Sequence, residues 1–229
     1  MRLDKLLSQA TAFTRSQAKR AIKKGQVTVA DKVVTNPAVQ IDDTRPVAYM
    51  GVLIKKPVPR YIMFHKPQGM VCANKDEQHA TVFDQLFLPR IDTLHVAGRL
   101  DIDTTGLVLI TDDGQWLHRI TSPRHAHHKV YRVDLADSLT DKQIQILQNG
   151  VQLKDEKNRC FPAEVETLAD KQIRLTISEG KYHQVKRMLA AVGNHVEKLH
   201  REAIAGIRLD GDLAEGHWRE LTQDEIKLI

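Results

Sequence analysis

Asp101 and Arg99 are the residues of this chain best placed to do chemistry. They stand two apart in residues 97–114, AGRLDIDTTGLVLITDDG, just ahead of a short apolar run from Leu107 to Ile110. Bounded by Thr104-Thr105-Gly106 before it and the turn Asp112-Asp113-Gly114 after it, that run reads as a core strand. Asp101 therefore sits on the loop that feeds a buried strand, with a guanidinium beside it. A carboxylate held there can attack an electrophilic carbon or remove a proton. The same local chemistry also suits a cap or turn residue, the commoner use of Asp in a loop. His118, His125, His127 and His128 cluster in sequence without a carboxylate or thiol nearby, so they read as phosphate contacts and no metal is expected.

The elements that must position Asp101 follow from composition. A chain of 229 residues, 41% hydrophobic, is long enough for one medium domain and a small one. The N-terminal sequence MRLDKLLSQ is charged, and no apolar run approaches the roughly 18 residues of a membrane span, so a cytoplasmic protein is expected. Cys72 and Cys160 lack a second Cys at metal-ligand spacing and read as free thiols of a reducing compartment. The net charge of +5 is unevenly spread. Residues 1–24 hold Arg2, Lys5, Arg15, Lys19, Arg20, Lys23 and Lys24 against the single acid Asp4, and the remainder is close to neutral. Leu3, Leu6, Leu7 and Ala10 recur at helical spacing, and a second helix is expected from about Thr14 or Ser16 to Gly25, with Ala18, Ala21 and Ile22 inward. Its cations are not interleaved with acids, unlike an ordinary solvated face, so the arm is expected to bind RNA. QVTVADKVV, residues 26–34, reads as a hairpin, and the proline-containing KKPVPR, residues 55–60, as a stiff linker. The expected organisation is a small domain over 1–55, a linker over 56–60 and a body over 61–229.

In the body, YIMF, MVCA, LHVAG, GLVLIT, KVYRVDL, AEVETL, QIRLTI and HVEKLHR read as strands, while residues 140–149 and 182–192 read as helices. Many short strands with few helices argue for an α+β fold with a largely antiparallel mixed sheet. A second basic surface is expected in HRITSPRHAHHKVYR, residues 118–132, which carries Arg119, Arg124, Lys129 and Arg132 with no acid between Asp113 and Asp134.

The pattern G-R-L-D-x-x-T-x-G-L followed by three apolar residues and T-x-D-G resembles the catalytic motif of the pseudouridine synthases, in the branch that modifies small-subunit ribosomal RNA. The resemblance extends over residues 60–229 through FHKPQG, Lys129-x-Tyr131, SEGKYHQVKRML and HVEKLHRE. Residues 1–48, with R-L-D-K-L-L and S-x-A-K-x-A-I-K-x-G-x-V-x-V, are similar to the S4 RNA-binding domain. One departure is the hairpin tip, where Ala30-Asp31 replaces the Asn-Gly usual in that family and leaves the turn type open. The resemblance implies that Asp101 is the catalytic carboxylate, that Tyr131 lines the uracil pocket, and that Lys186, with the adjacent Arg187 as second choice, pairs with Asp101 and favours its ionised form. Arg99, Lys129, Arg187 and Leu189 are then expected at the substrate. Arg2, Arg15, Lys19, Arg20, Lys23, Lys24, Arg119 and Arg124 are expected on the RNA, and Lys66 in the Lys-Pro-x-Gly turn serves as scaffold close to it. The implied reaction turns uridine into pseudouridine without redox change or external group, so no cofactor is expected. The implied partner is small-subunit ribosomal RNA, bare or partly assembled with proteins, and the protein is expected to be a monomer. Rival readings are a related synthase acting on large-subunit RNA or tRNA, a non-catalytic assembly factor, and a glycosidase-like hydrolase with Asp103 as a second carboxylate.

Overall fold

The computed structural model describes residues 1–42, 44–55 and 57–229, and the chain divides into two compact units, Met1–Val58 and Pro59–Ile229. Lys56, within the expected linker, lies outside the described residues. Arg60, also read as linker, is instead fixed in the second unit: its Nε donates to Asp112 at 2.8 Å and another guanidinium nitrogen to Thr93 Oγ1 at 2.8 Å.

In the first unit, α1 (Leu3–Ala10) and α2 (Arg15–Lys23) cover a four-stranded antiparallel sheet of β1 (Val27–Val29), β2 (Lys32–Val33), β3 (Val47–Tyr49) and β4 (Val52–Leu53), in the order β2-β1-β3-β4. Thr14 and Gln17 form a reciprocal capping box that starts α2. At the hairpin tip Ala30 and Asp31 both have positive φ, 46° and 63°, the backbone of a type I′ turn built without glycine. Arg2 and Arg15, expected on RNA, are both drawn to Asp4. This carboxylate is fully buried and accepts from Arg2 at 2.9 Å and from Arg15 at 3.0 Å, which ties α1 to α2. Burial disfavours the ionised form of Asp4, but the two guanidinium hydrogen bonds outweigh it and hold the carboxyl below its ordinary value. The stabilisation from this lowered value is present above the ordinary carboxylate range and is lost as pH falls through it. Asp4→Asn should therefore cost about 2 kcal/mol at pH 7 and progressively less toward pH 3, read as the change in urea midpoint of the full-length protein.

The second unit is built on a nine-stranded sheet. In chain order its elements are β5 (Tyr61–Lys66), β6 (His95–Ala97), β7 (Thr105–Thr111), α3 (Gly114–Thr121), β8 (Lys129–Leu135), α4 (Asp141–Gln148), β9 (Glu164–Ala169), β10 (Gln172–Ile177), α5 (Gln184–Ala191), β11 (Val196–Ile204), β12 (Ile207–Arg208), β13 (Trp218–Glu220) and α6 (Gln223–Lys227). The order is β13-β5-β7-β11-β8-β10-β9, with β6 also on β7 and β12 on β11, and only β7 with β11 runs parallel. The expected strand over MVCA does not form; Val71 makes a single bridge to Thr81. Successive residues of each strand point to opposite faces, so two cores form. Phe64, Val108, Tyr131, Val133 and Leu175 pack with α5 on one face, while Met63, Leu107, Leu109, Trp116 and Ile204 pack on the other.

The parallel contact between β7 and β11 sets the approach to Asp101. Gly106 lies opposite Arg201 with φ +105°, and a Cβ there would fall on the Arg201 main-chain oxygen and within 2.6 Å of its nitrogen. Gly106→Ala should cost about 3 kcal/mol, because both neighbouring atoms are backbone and cannot turn away. Gly98→Ala is the control: its φ is also positive, but the nearest atoms are side-chain ends at 3.8 and 3.9 Å. Equal unfolding midpoints for the two variants would show that the strands part easily.

Candidate active site

The loop from Gly98 to Thr104 is held on both sides by buried cations that donate to its main chain. Arg201, only 1% exposed, gives Nε to Leu107 O at 2.8 Å and one terminal nitrogen to Gly98 O at 2.7 Å; the other lies 3.4 Å from Arg99 O. Lys66, fully buried on β5, donates to Thr104 O at 2.7 Å, Pro67 O at 3.0 Å and Ile102 O at 3.3 Å. Lys66 is thus a clamp on the loop and has no exposed surface to offer RNA. Burial, reinforced by the charge of Arg201, pushes the Lys66 ammonium below its ordinary value, while Cys72, Asp103 and Asp101 pull the other way. Thr104 N donates to Asp101 O at 3.1 Å and Gly69 N to Ile102 O at 2.9 Å, closing the loop on itself and on the Lys-Pro-x-Gly turn.

The carboxylate so presented meets α5. Val185, Met188 and Leu189 bury one stripe of that helix, which leaves Lys186 turned toward the loop. Lys186 Nζ lies 3.4 Å from Asp101 Oδ2 and 2.6 Å from Asp103 Oδ1. Its burial works against the charge, but the Asp103 hydrogen bond and the two carboxylate charges more than offset it and raise its pKa. Burial likewise opposes ionisation of Asp103, and the bond and charge of Lys186 override it and hold that carboxyl low. A glycosidase general acid needs the opposite, a carboxyl that keeps its proton near neutrality, so Asp103 does not fill that role.

His183 completes the arrangement with Nε2 at 3.3 Å from Asp101 Oδ1. Sequence reasoning passed over it, although it stands in the H-Q-x of SEGKYHQVKRML. The reason it reaches Asp101 is its left-handed backbone, φ 45° and ψ 38°, at the start of α5, which no local pattern announces.

The other expected residues divide. Tyr131, 7% exposed on β8, lies in the core face that α5 covers, opposite Arg201 of β11, and its hydroxyl has no hydrogen-bond partner among the described residues. Lys129 on the same strand donates only to His127 O, at 3.0 Å; burial and the Arg201 charge lower its pKa. The Arg99 side chain is exposed and unpaired among the described residues. Arg187, expected at the substrate, is committed elsewhere: it donates to Glu156 at 2.9 Å and to the carbonyls of Lys154 and Tyr182. Leu189 is fully buried in the core and presents no surface. Arg119, expected on RNA, donates Nε to the carbonyl of Ile229 at 3.0 Å and fixes α3 to the last residue. Lys19, Arg20, Lys23, Lys24 and Arg124 are exposed, without acidic partners among the described residues.

A groove of about 850 Å³ runs over the opposite face of the sheet, past His65, Arg132, Arg174, His200 and Glu202. Its charges largely satisfy one another: Arg174 bonds Glu202 at 2.9 Å and Glu166 at 2.6 Å.

Residues 60–191 match the family model described as RNA pseudouridylate synthase, and residues 1–44 match the S4 domain. The ribosomal small subunit pseudouridine synthase A of Escherichia coli K12 is 53% identical over the whole of both chains. The protein of that name from Yersinia pestis is 50% identical over 100% of this chain and 98% of its own. A crystal structure titled as a pseudouridylate synthase superposes with a TM-score of 0.73 at 45% identity, covering both chains fully. The model match takes in the clamped loop, Tyr131 and Lys186, and the identity runs from end to end: the chain belongs to the RNA pseudouridylate synthase family, with an S4 domain at its N-terminus.

Proposed function

We propose that the protein isomerises a uridine of small-subunit ribosomal RNA to pseudouridine, with Asp101 as the catalytic carboxylate. The observation that carries the chemistry is the Asp101 carboxylate set between Lys186 and His183 on a loop whose carbonyls are pinned by Lys66 and Arg201. Breaking the bond between N1 and C1′ by attack at C1′ or by proton removal at C2′ needs an anionic oxygen, and the Lys186 ammonium stands 3.4 Å from the carboxylate that supplies it. Once the bond is broken, the uracil turns and C5 joins C1′ as Asp101 either leaves C1′ or returns the proton to C2′, and the C5 proton then leaves, with the Tyr131 hydroxyl as its acceptor or relay. A stacked uridine cannot reach Asp101, so the nucleotide must leave its helix at a cost of a few kcal/mol. The exposed Arg99 side chain is free to hold the vacated space or a flanking phosphate.

The small-subunit target rests on the names of the full-length relatives, and the cytoplasm is the compartment such a substrate implies. Among the described residues no helix is long and apolar enough to cross a membrane. Incubation with small-subunit RNA transcribed in vitro should create pseudouridine at one position; pseudouridine in large-subunit RNA or tRNA instead would move the substrate to the related branch.

The exposed cations of α2 supply sequence-independent affinity in this reading. Replacing Lys19, Arg20, Lys23 and Lys24 together by Ala should flatten the plot of log K against log salt by about 3, four phosphate contacts at roughly 0.7 to 0.9 counterions each. An unchanged slope would show that α2 does not touch RNA.

A further inference from the structure

Tyr182 and His183 lie ring on ring next to Asp101, with centroids 3.8 Å apart and planes 23° from parallel. His183 turns its edge to the carboxylate at 3.3 Å and its face to Tyr182. Tyr182 is 74% exposed, so the side of its ring away from His183 is open to water. Such a ring adds little to the core, and its hydroxyl has no partner among the described residues. Its support, by contrast, is firm. Arg187 donates to Tyr182 O at 3.0 Å while bonding Glu156, Gln184 locks onto Lys181 N and Glu179, and His183 holds a left-handed backbone that costs about 1 to 3 kcal/mol. Lys181, the residue before Tyr182, donates to the carbonyls of Asn158 and Arg159 at 3.3 Å, which ties the segment carrying the exposed cations Lys157 and Arg159 to the start of the shelf.

We propose that the Tyr182–His183 stack is a shelf for one unpaired base of the RNA, the neighbour of the uridine that enters the pocket. The proposal rests on the functional reading above. Extruding a uridine strips its neighbour of a stacking partner, and an open aromatic face one side chain from the catalytic carboxylate replaces it. Every base has a π face, so the shelf is indifferent to sequence. The exposed cations on the segment that Lys181 ties to the shelf, Lys157 and Arg159, supply charge for the phosphates of that strand. An occupied shelf also fixes the plane of His183, whose edge meets Asp101, which makes Tyr182 a positioning residue.

The test uses the full-length protein and its Tyr182→Ala, Tyr182→Phe and Tyr182→Trp variants with small-subunit RNA transcribed in vitro. Two quantities are read, RNA affinity by filter binding and kcat/KM by tritium release from C5-labelled uridine. Tyr182→Ala should lose about 5- to 150-fold in both, the worth of one base on one ring, while Phe and Trp stay within about twofold of the starting protein. Wild-type affinity in Tyr182→Ala would overturn the shelf, as would Phe and Trp variants as weak as Ala. If the unaltered protein makes no pseudouridine in this RNA, the functional reading fails, and the affinity series alone still decides whether a base stacks on Tyr182.

Discussion

Asp101→Asn leaves a folded protein that still binds RNA and forms pseudouridine about 10⁴-fold more slowly, or not at all. The amide keeps the size of the carboxylate and can still accept from Lys186 or His183. It lacks the anionic oxygen that either route to the broken glycosidic bond requires. Folding is spared because the loop is held through main-chain atoms, by Arg201 at Gly98 O and Leu107 O and by Lys66 at Thr104 O, none of which involves the Asp101 side chain. Lys186 also retains its 2.6 Å partner Asp103. Turnover within about tenfold of wild type would remove Asp101 from the chemistry.

Tyr131→Phe separates the two halves of the reaction. The ring is 7% exposed and packed in the core that α5 covers, so the phenylalanine ring fills the same space and stability stays within about 1 kcal/mol. The variant loses the oxygen that would take or relay the C5 proton, and turnover should fall by about 10² to 10⁴, the worth of a positioned proton-transfer group. Cleavage of the bond to N1 proceeds, and a rearranged base that still carries its C5 proton accumulates. Tritium release from C5-labelled uridine measures this step. Release at the wild-type rate would make Tyr131 a packing residue and pass the proton to another group.

How much of this was legible in the sequence depended on whether the signal was local. The apolar run of β7 and the alternation of β8 and β10 gave their strands directly, and the helical stretch over 140–149 gave α4, with Thr140, the first residue of that stretch, as its cap. MVCA has strand-like residues, but a strand needs a partner, and only Val71 finds one. The α3 helix was missed because GQWLHRIT opens on glycine and buries only Trp116 and Ile120, too thin a stripe to stand out from a basic segment. The loop of Asp101 was readable as a site, whereas the two cations that shape it come from distant strands: Lys66 looked like part of a turn and Arg201 like an ordinary strand residue. The charge pattern pointed to the S4 domain but could not sort its cations one by one. A count of cations cannot see that Arg2 and Arg15 share the buried Asp4, that Arg187 is held by Glu156, or that Arg119 ends on Ile229.

The most direct test of the account is a pseudouridine map, at single-nucleotide resolution, of ribosomal RNA from cells lacking this protein, restored with either the wild-type chain or Asp101→Asn. The account predicts that one pseudouridine disappears from the small-subunit RNA, returns with the wild-type chain and stays absent with Asp101→Asn. A small-subunit map unchanged by loss of the protein, or one restored equally by both chains, would contradict it.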